Sequence, residues 1–183
     1  MMLANFILFQ VGWFACVLGG AYDRPWLGTG FAMAIVAWHG GRAPRPRAEM
    51  ILVLLSAGIG ATADSLLVAA NWVRYASGTL IPGTAPVWLV AMWMLFATTL
   101  NLSLRWLQQY ALAAVALGAI GGPLAYWGGA RLGAMAFVAP VAATAALAVG
   151  WAVLTPLLVR LARRFDGYPP AVVTGRKLLA QHA

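Results

Sequence analysis

Asp64 is the residue in this sequence with the clearest chemical potential, because it lies well inside a long apolar segment running from Glu49 to Arg74. The other acidic residues, Asp23, Glu49 and Asp166, fall where helix ends or a tail are expected. An ionised carboxylate in hydrocarbon costs on the order of 2.5–3.5 kcal/mol even on insertion scales, so Asp64 is expected to be paired, wet or protonated. Helical spacing puts Ala57, Gly60, Asp64, Asn71 and Tyr75 on one face, with small residues at one end and polar ones at the other. Arg24, Arg74, Tyr126 and Arg131 fall at the same level as Asp64 and are its candidate partners. The outer candidate cluster is therefore Asp64, Asn71, Arg74, Tyr126 and Arg131. It is either a hydrogen bond or ion pair that fixes helix packing, or the lining of a ligand pocket.

A second polar stripe follows helical spacing through Thr98, Asn101, Arg105 and Gln108. With Gln10 facing it from the first helix, the inner candidate cluster is Gln10, Thr98, Asn101 and Arg105. Arg105 has a second use, since its long stem lets the guanidinium reach the interface. For Thr98 and Asn101, interhelical hydrogen bonding competes with ligand binding. Asn5, Gly12 and Cys16 share a face of the first helix, where Cys16 reads as a small apolar filler. Gly118 with Gly122, and Gly129 with Gly133, are small-xxx-small pairs that mark close helix packing.

Several chemistries lack their residues. His39 is the only histidine in an apolar segment, so paired haem ligation across helices has no second ligand. One cysteine permits neither an intramolecular disulfide nor a cysteine metal pair, and no His, Cys, Asp and Glu pattern resembles a metal site. No catalytic motif is present, and one carboxylate in a span cannot form a proton relay. Neither a metal nor another cofactor is expected.

These residues need elements to position them, and composition defines the elements. Of 183 residues, 63% are hydrophobic and 9% charged. A soluble domain carries roughly 45–50% apolar and about 25% charged residues, whereas about 20 apolar residues suffice to cross a bilayer. The sequence predicts an all-α polytopic transmembrane bundle of about six spans. They run from about Asn5 to Tyr22, Trp26 to Gly41, Glu49 to Trp72, Pro86 to Leu104, Gln108 to Arg131 and Phe137 to Leu161. The first lacks the basic flank of a signal peptide and is read as a retained helix. The fifth is expected to be kinked or broken near Pro123, which lacks a backbone donor; the alternative makes Leu124 to Gly133 a re-entrant piece. Residues 1–161 would form one membrane domain and residues 162–183 a basic cytoplasmic tail.

The net charge of +8 comes from short connections and the tail, not from a folded basic face, so membrane lipids and not nucleic acid are the expected partners. Nine Lys and Arg fall on one set of alternate connections and three on the other, of 12 in all. The positive-inside rule then puts both termini in the cytoplasm, with Trp26, Trp72, Trp88 and Trp127 in an outer aromatic belt. Whether a second copy or another membrane protein binds is left open by the sequence.

Phe9-Gln10-Val11-Gly12-Trp13-Phe14, Asp64, Pro86-Val87-Trp88-Leu89, Phe96-Ala97-Thr98-Thr99-Leu100-Asn101 and Gly121-Gly122-Pro123-Leu124-Ala125-Tyr126 together carry a resemblance. Along nearly its whole length the chain resembles the bacterial membrane family catalogued as domain of unknown function 2878. The resemblance implies an inner-membrane location and a lipid-related role, but no activity. Ala63-Asp64-Ser65-Leu66-Leu67 also resembles the aspartate-bearing helix of small multispan lysoplasmalogenases. Three readings follow: a protein that binds or transports a lipid or other amphipathic molecule, a lipid-processing enzyme using Asp64, and an accessory membrane subunit without a ligand site. For the orientation, a cysteine placed at Ser77 should react with an impermeant thiol reagent from the outer side; cytoplasmic labelling would overturn the assignment.

Overall fold

Proline starts and short polar turns divide the apolar sequence into six helices in the computed structural model, which describes residues 1–169. They are α1 (Met2–Ala21), α2 (Pro25–Arg42), α3 (Pro46–Ala69), α4 (Val87–Leu100), α5 (Ala111–Arg131) and α6 (Pro140–Arg164). Pro25, Pro46 and Pro140 each occupy a first helical turn, where the missing N–H has no helical partner to lose. Four helices, α1, α3, α5 and α6, are long and apolar enough to cross a membrane. At 14 residues α4 is shorter, and it continues through a turn into a 3-10 segment, Arg105–Gln108.

α4 is the centre of the bundle. It packs on α1, α2 and α3, while α5 and α6 form a hairpin that reaches the rest chiefly through α6 and two short strands. The strands, β1 (Val73–Tyr75) and β2 (Met135–Phe137), are antiparallel, with Val73 opposite Phe137, Arg74 opposite Ala136 and Tyr75 opposite Met135. Helical periodicity alone gave no sign of this ribbon.

The two corners that lead into the strands are built alike. After α3, Asn71 takes φ +56 while Trp72 N–H donates to Leu67 and Asn71 N–H to Val68; after α5, Gly133 takes φ +88 while Ala134 N–H donates to Gly129 and Gly133 N–H to Ala130. Both are Schellman caps, in which a left-handed residue turns the chain and satisfies the last carbonyls. The likeness continues up the helices at the same offset, since 133 − 71, 126 − 64 and 122 − 60 are all 62. A methyl at Gly60 would overlap the Trp93 indole, and one at Gly122 the Trp151 indole. The two indoles stack on each other, 4.5 Å apart and 11° from parallel. Residue identity hides this correspondence, because most paired positions, Asp64 and Tyr126 among them, differ in type.

Several expectations are corrected. The fourth helix stops at Leu100 rather than Leu104, and α5 starts at Ala111. α5 is continuous through Pro123 to Arg131, so it is not broken and Leu124 to Gly133 is not a separate re-entrant piece. Trp88 is buried and donates to the Ser77 carbonyl at 3.0 Å, so it is no part of an interfacial belt. α6 runs to Arg164, three residues into the segment expected as tail, and Phe165 to Tyr168 fold back over the end of α3. The remaining tail residues, with Arg176 and Lys177, lie outside the described residues.

The ribbon register gives a direct check. Arg74→Cys with Ala136→Cys joins exposed, directly opposed positions whose Cα atoms fall in the range a disulfide accepts. Mild oxidation should give an intramolecular cross-link seen as a gel shift, whereas Arg74→Cys with Val138→Cys should give little.

Candidate functional site

Asp64 is 1% exposed, and its carboxylate is enclosed by three donors from three elements. Oδ2 accepts Trp93 Nε1–H from α4 at 2.7 Å, and Oδ1 accepts the hydroxyls of Tyr126 from α5 at 2.5 Å and Tyr75 from β1 at 3.0 Å. Gly60, one turn before Asp64, lets the indole lie against α3. The ribbon brings Tyr75 back over the helix it has left. Burial first, and then the Asp64 carboxylate, hold the Tyr75 phenol well above its ordinary value, so it remains a donor.

Among the outer candidates the structure thus joins Tyr126 to Asp64 and leaves the others apart. Asn71 caps α3 as an exposed left-handed residue, and Arg74 and Arg131 are exposed. None of Arg24, Arg74 or Arg131 pairs with Asp64 among the described residues, so of the hydrogen bond and the ion pair considered for it the structure has the first, as a neutral-donor cage. Two of its members, Trp93 and Tyr75, were not among the candidates, although Tyr75 shares the predicted face. The signal that identifies the cage is the pair Gly60-x-x-x-Asp64 and Gly122-x-x-x-Tyr126.

A second dry carboxylate lies at the other end of α3. Glu49 is 0% exposed, not at the surface as its place in a first helical turn implied. Oε1 lies 2.7 Å from His39 Nε2, and Oε2 accepts Asn101 Nδ2 at 2.9 Å and the Gly167 N–H at 3.1 Å. The Tyr168 ring packs at a tilt against His39, 4.9 Å between centres, and its hydroxyl donates to the His39 carbonyl at 2.6 Å. Its phenol is pushed up to about 12, first by burial and then by the Glu49 charge.

The inner candidates divide accordingly. Asn101 joins Glu49 and receives Gln108 Nε2 at 3.0 Å. Arg105 turns to Asp166 and to the carbonyls of Asn101 and Tyr168. Thr98 instead meets Asn5, whose Nδ2 donates to the Thr98 carbonyl at 3.1 Å and whose Oδ1 accepts Ser103 at 2.7 Å. Gln10 is exposed on α1, so Asn5 does the bridging expected of it. Among the described residues no three His, Cys, Asp or Glu side chains gather as a metal site.

Between these clusters runs an apolar crevice of about 490 Å3. α1 and α5 are held apart, and α4 forms the floor between them. Phe9, Trp13, Trp88, Phe96 and Trp151 line it; Tyr75 and Tyr126 close one end and Ser103 and Leu104 the other. Thr155 also lines it, buried and with no hydrogen-bond partner for its hydroxyl. Phe6 and Phe14 on α1 and Leu117 and Leu124 on α5 form an exposed rim. Asp64 lies behind the tyrosines and does not line the space.

Long apolar helices, dry carboxylate cages and an apolar crevice open on its flank define a polytopic helical membrane protein. The family model described as Protein of unknown function (DUF2878) matches residues 2–157, and the chain belongs to that family. No curated protein and no solved structure is similar to it.

The cage predicts unequal effects of two substitutions. Asp64→Asn puts an N–H among groups that donate and should lower stability by about 1–3 kcal/mol. Arg131→Gln should change it by no more than about 0.5 kcal/mol, as expected of an exposed residue. Unfolding of the purified protein in detergent, followed by tryptophan fluorescence, checks both; equal losses would restore the ion pair.

Proposed function

We propose that this is an inner-membrane protein that binds one acyl chain of a membrane lipid in the crevice between α1 and α5. The crevice carries the reading: at about 490 Å3 it falls within the roughly 300–1,000 Å3 of small-molecule sites. Its walls are aromatic and aliphatic, and its rim residues would face hydrocarbon once the long helices cross a bilayer. In that setting the nearest occupant is the acyl chain of a neighbouring lipid. The uneven distribution of Lys and Arg supports an orientation with both termini in the cytoplasm, which sets Glu49 toward the cytoplasmic face and Asp64 toward the outer one.

The enzyme reading has less support. Three of the roughly four acceptor positions of the Asp64 carboxylate are already used, and two phenols stand between it and the crevice. Asp64 serves this reading by fixing Tyr126 and Trp93 as walls.

Gly121 lines the crevice, and a Cβ there meets only the end of the Leu117 side chain. Gly121→Phe should fill the space while keeping the helix. Lipid retained through purification, measured by mass spectrometry, should fall several-fold relative to the unaltered protein at an unchanged circular-dichroism spectrum. Undiminished lipid in a folded variant would remove the crevice as the binding site.

A further inference from the structure

A neighbouring space adjoins the crevice at its Ser103 end. Phe6 and Ser103 also line a second recess, of about 780 Å3, where the start of α1, the 3-10 segment and the last turns of α6 meet. Its walls are still largely apolar, but they add what the crevice lining lacks, the cations Arg105 and Arg163, beside Gln108 and Gln109. Arg105 is already held by Asp166. Arg163 is exposed and makes no ion pair among the described residues. Arg42, Arg45, Arg47, Arg160 and Arg164 lie at the same end, while its acidic residues, Glu49 and Asp166, are each bonded within the protein. The apolar crevice therefore adjoins a recess with cations in its wall.

The two ends are not equivalent for a ligand. At the far end the hydroxyls of Tyr75 and Tyr126 are already donated to Asp64, which leaves an aromatic wall without a cation. A chain would put its terminal methyl there and its charged head at the arginines. The floor is also long enough: the 14 residues of α4 extend about 21 Å at 1.5 Å per residue, more than one leaflet of a hydrocarbon core about 30 Å thick. Several donors line the recess, which suits the multiple acceptor oxygens of a phosphate better than a lone carboxylate.

We propose that the occupant is an anionic phospholipid, with one acyl chain along α4 toward Tyr126 and its phosphate in the recess against Arg163. Gln108 and Gln109 supply further donors, and the guanidinium offers the paired N–H geometry that phosphate accepts. This assignment rests on the acyl-chain reading of the crevice.

Native mass spectrometry of the full chain in a neutral detergent tests it, with dioleoyl phosphatidylglycerol, dioleoyl phosphatidylcholine and glycerol 3-phosphate as probes. The first phosphatidylglycerol adduct should form at about five-fold lower concentration than the first phosphatidylcholine adduct, the scale expected for one cation near a membrane surface. Arg163→Gln should bring the two lipids to near parity, with a several-fold loss for phosphatidylglycerol and a smaller one for phosphatidylcholine, whose phosphate meets the same guanidinium beside a repelled choline. Arg163→Lys should keep most of the preference, and Arg160→Gln, outside the recess, all of it. Gly121→Phe should weaken both lipids. Equal binding of the two lipids, or a preference that survives Arg163→Gln, overturns the headgroup assignment and leaves the acyl-chain reading standing. Absence of a saturable adduct with either lipid, or full binding by folded Gly121→Phe, overturns the acyl-chain reading itself. Displacement of phosphatidylglycerol by equimolar glycerol 3-phosphate would make the recess a site for soluble phosphate and overturn the lipid assignment.

Discussion

A carboxylate kept from water must receive its hydrogen bonds from the protein, and this bundle keeps two of them dry on one helix. Asp64 takes donors from α4, α5 and β1; Glu49 is bonded to α2, the end of α4 and the chain after α6. Each thereby fixes three elements against α3. Removing a partner from such a site is more damaging than its net contribution would indicate, because the group left behind cannot turn to solvent. α3 works as a post anchored at both ends, and α4, which touches both anchors, is held in register between them.

The crevice lies where this network does not reach. α1 is tied to the α4 end through Asn5, Thr98 and Ser103, and it fits against α2 through Gly28, which lies on the Ala15 and Cys16 backbone. α5 is tied to α3 through Tyr126 and to α6 through Gly118 and Gly122, which lie against Trp151. No polar bond joins α1 to α5 among the described residues, and their facing side chains are large aromatics and small glycines that leave space. The gap thus follows from which helices share buried polar groups.

The membrane class and the helix count were legible because they depend on composition and period, which local sequence carries directly; the stripe from Thr98 to Gln108 read as one helical face, whereas α4 ends at Leu100 and Arg105 and Gln108 stand in the 3-10 segment after it. Tyr126 was reached by estimating depth along a helix. Depth also misled, because it put Arg131 and Arg74 beside Asp64, whereas long basic side chains at helix ends turn outward and a tryptophan N–H from mid-helix takes the site. Glu49 was missed for the reverse reason: a first-turn acid looks solvated unless the chain after α6 is known to fold over it. The ribbon and the matched corners depend on pairing across 62 residues, and the side chains there retain shape and position more than type.

The strap over Glu49 also orders events in time. His39 is made ten residues before Glu49, Asn101 52 residues after it and Gly167 118 residues after it. A chain that emerges amino end first can give this carboxylate a histidine at once, an amide once α4 is complete, and its last main-chain donor only after α6 has been synthesised. Until then the site is open, so a ribosome that stops just short of Gly167 leaves the six described helices in place and one buried carboxyl group incompletely bonded. Such a product would differ from the finished protein by a missing latch, and quality control acting on unfinished membrane proteins would have a defined defect to recognise.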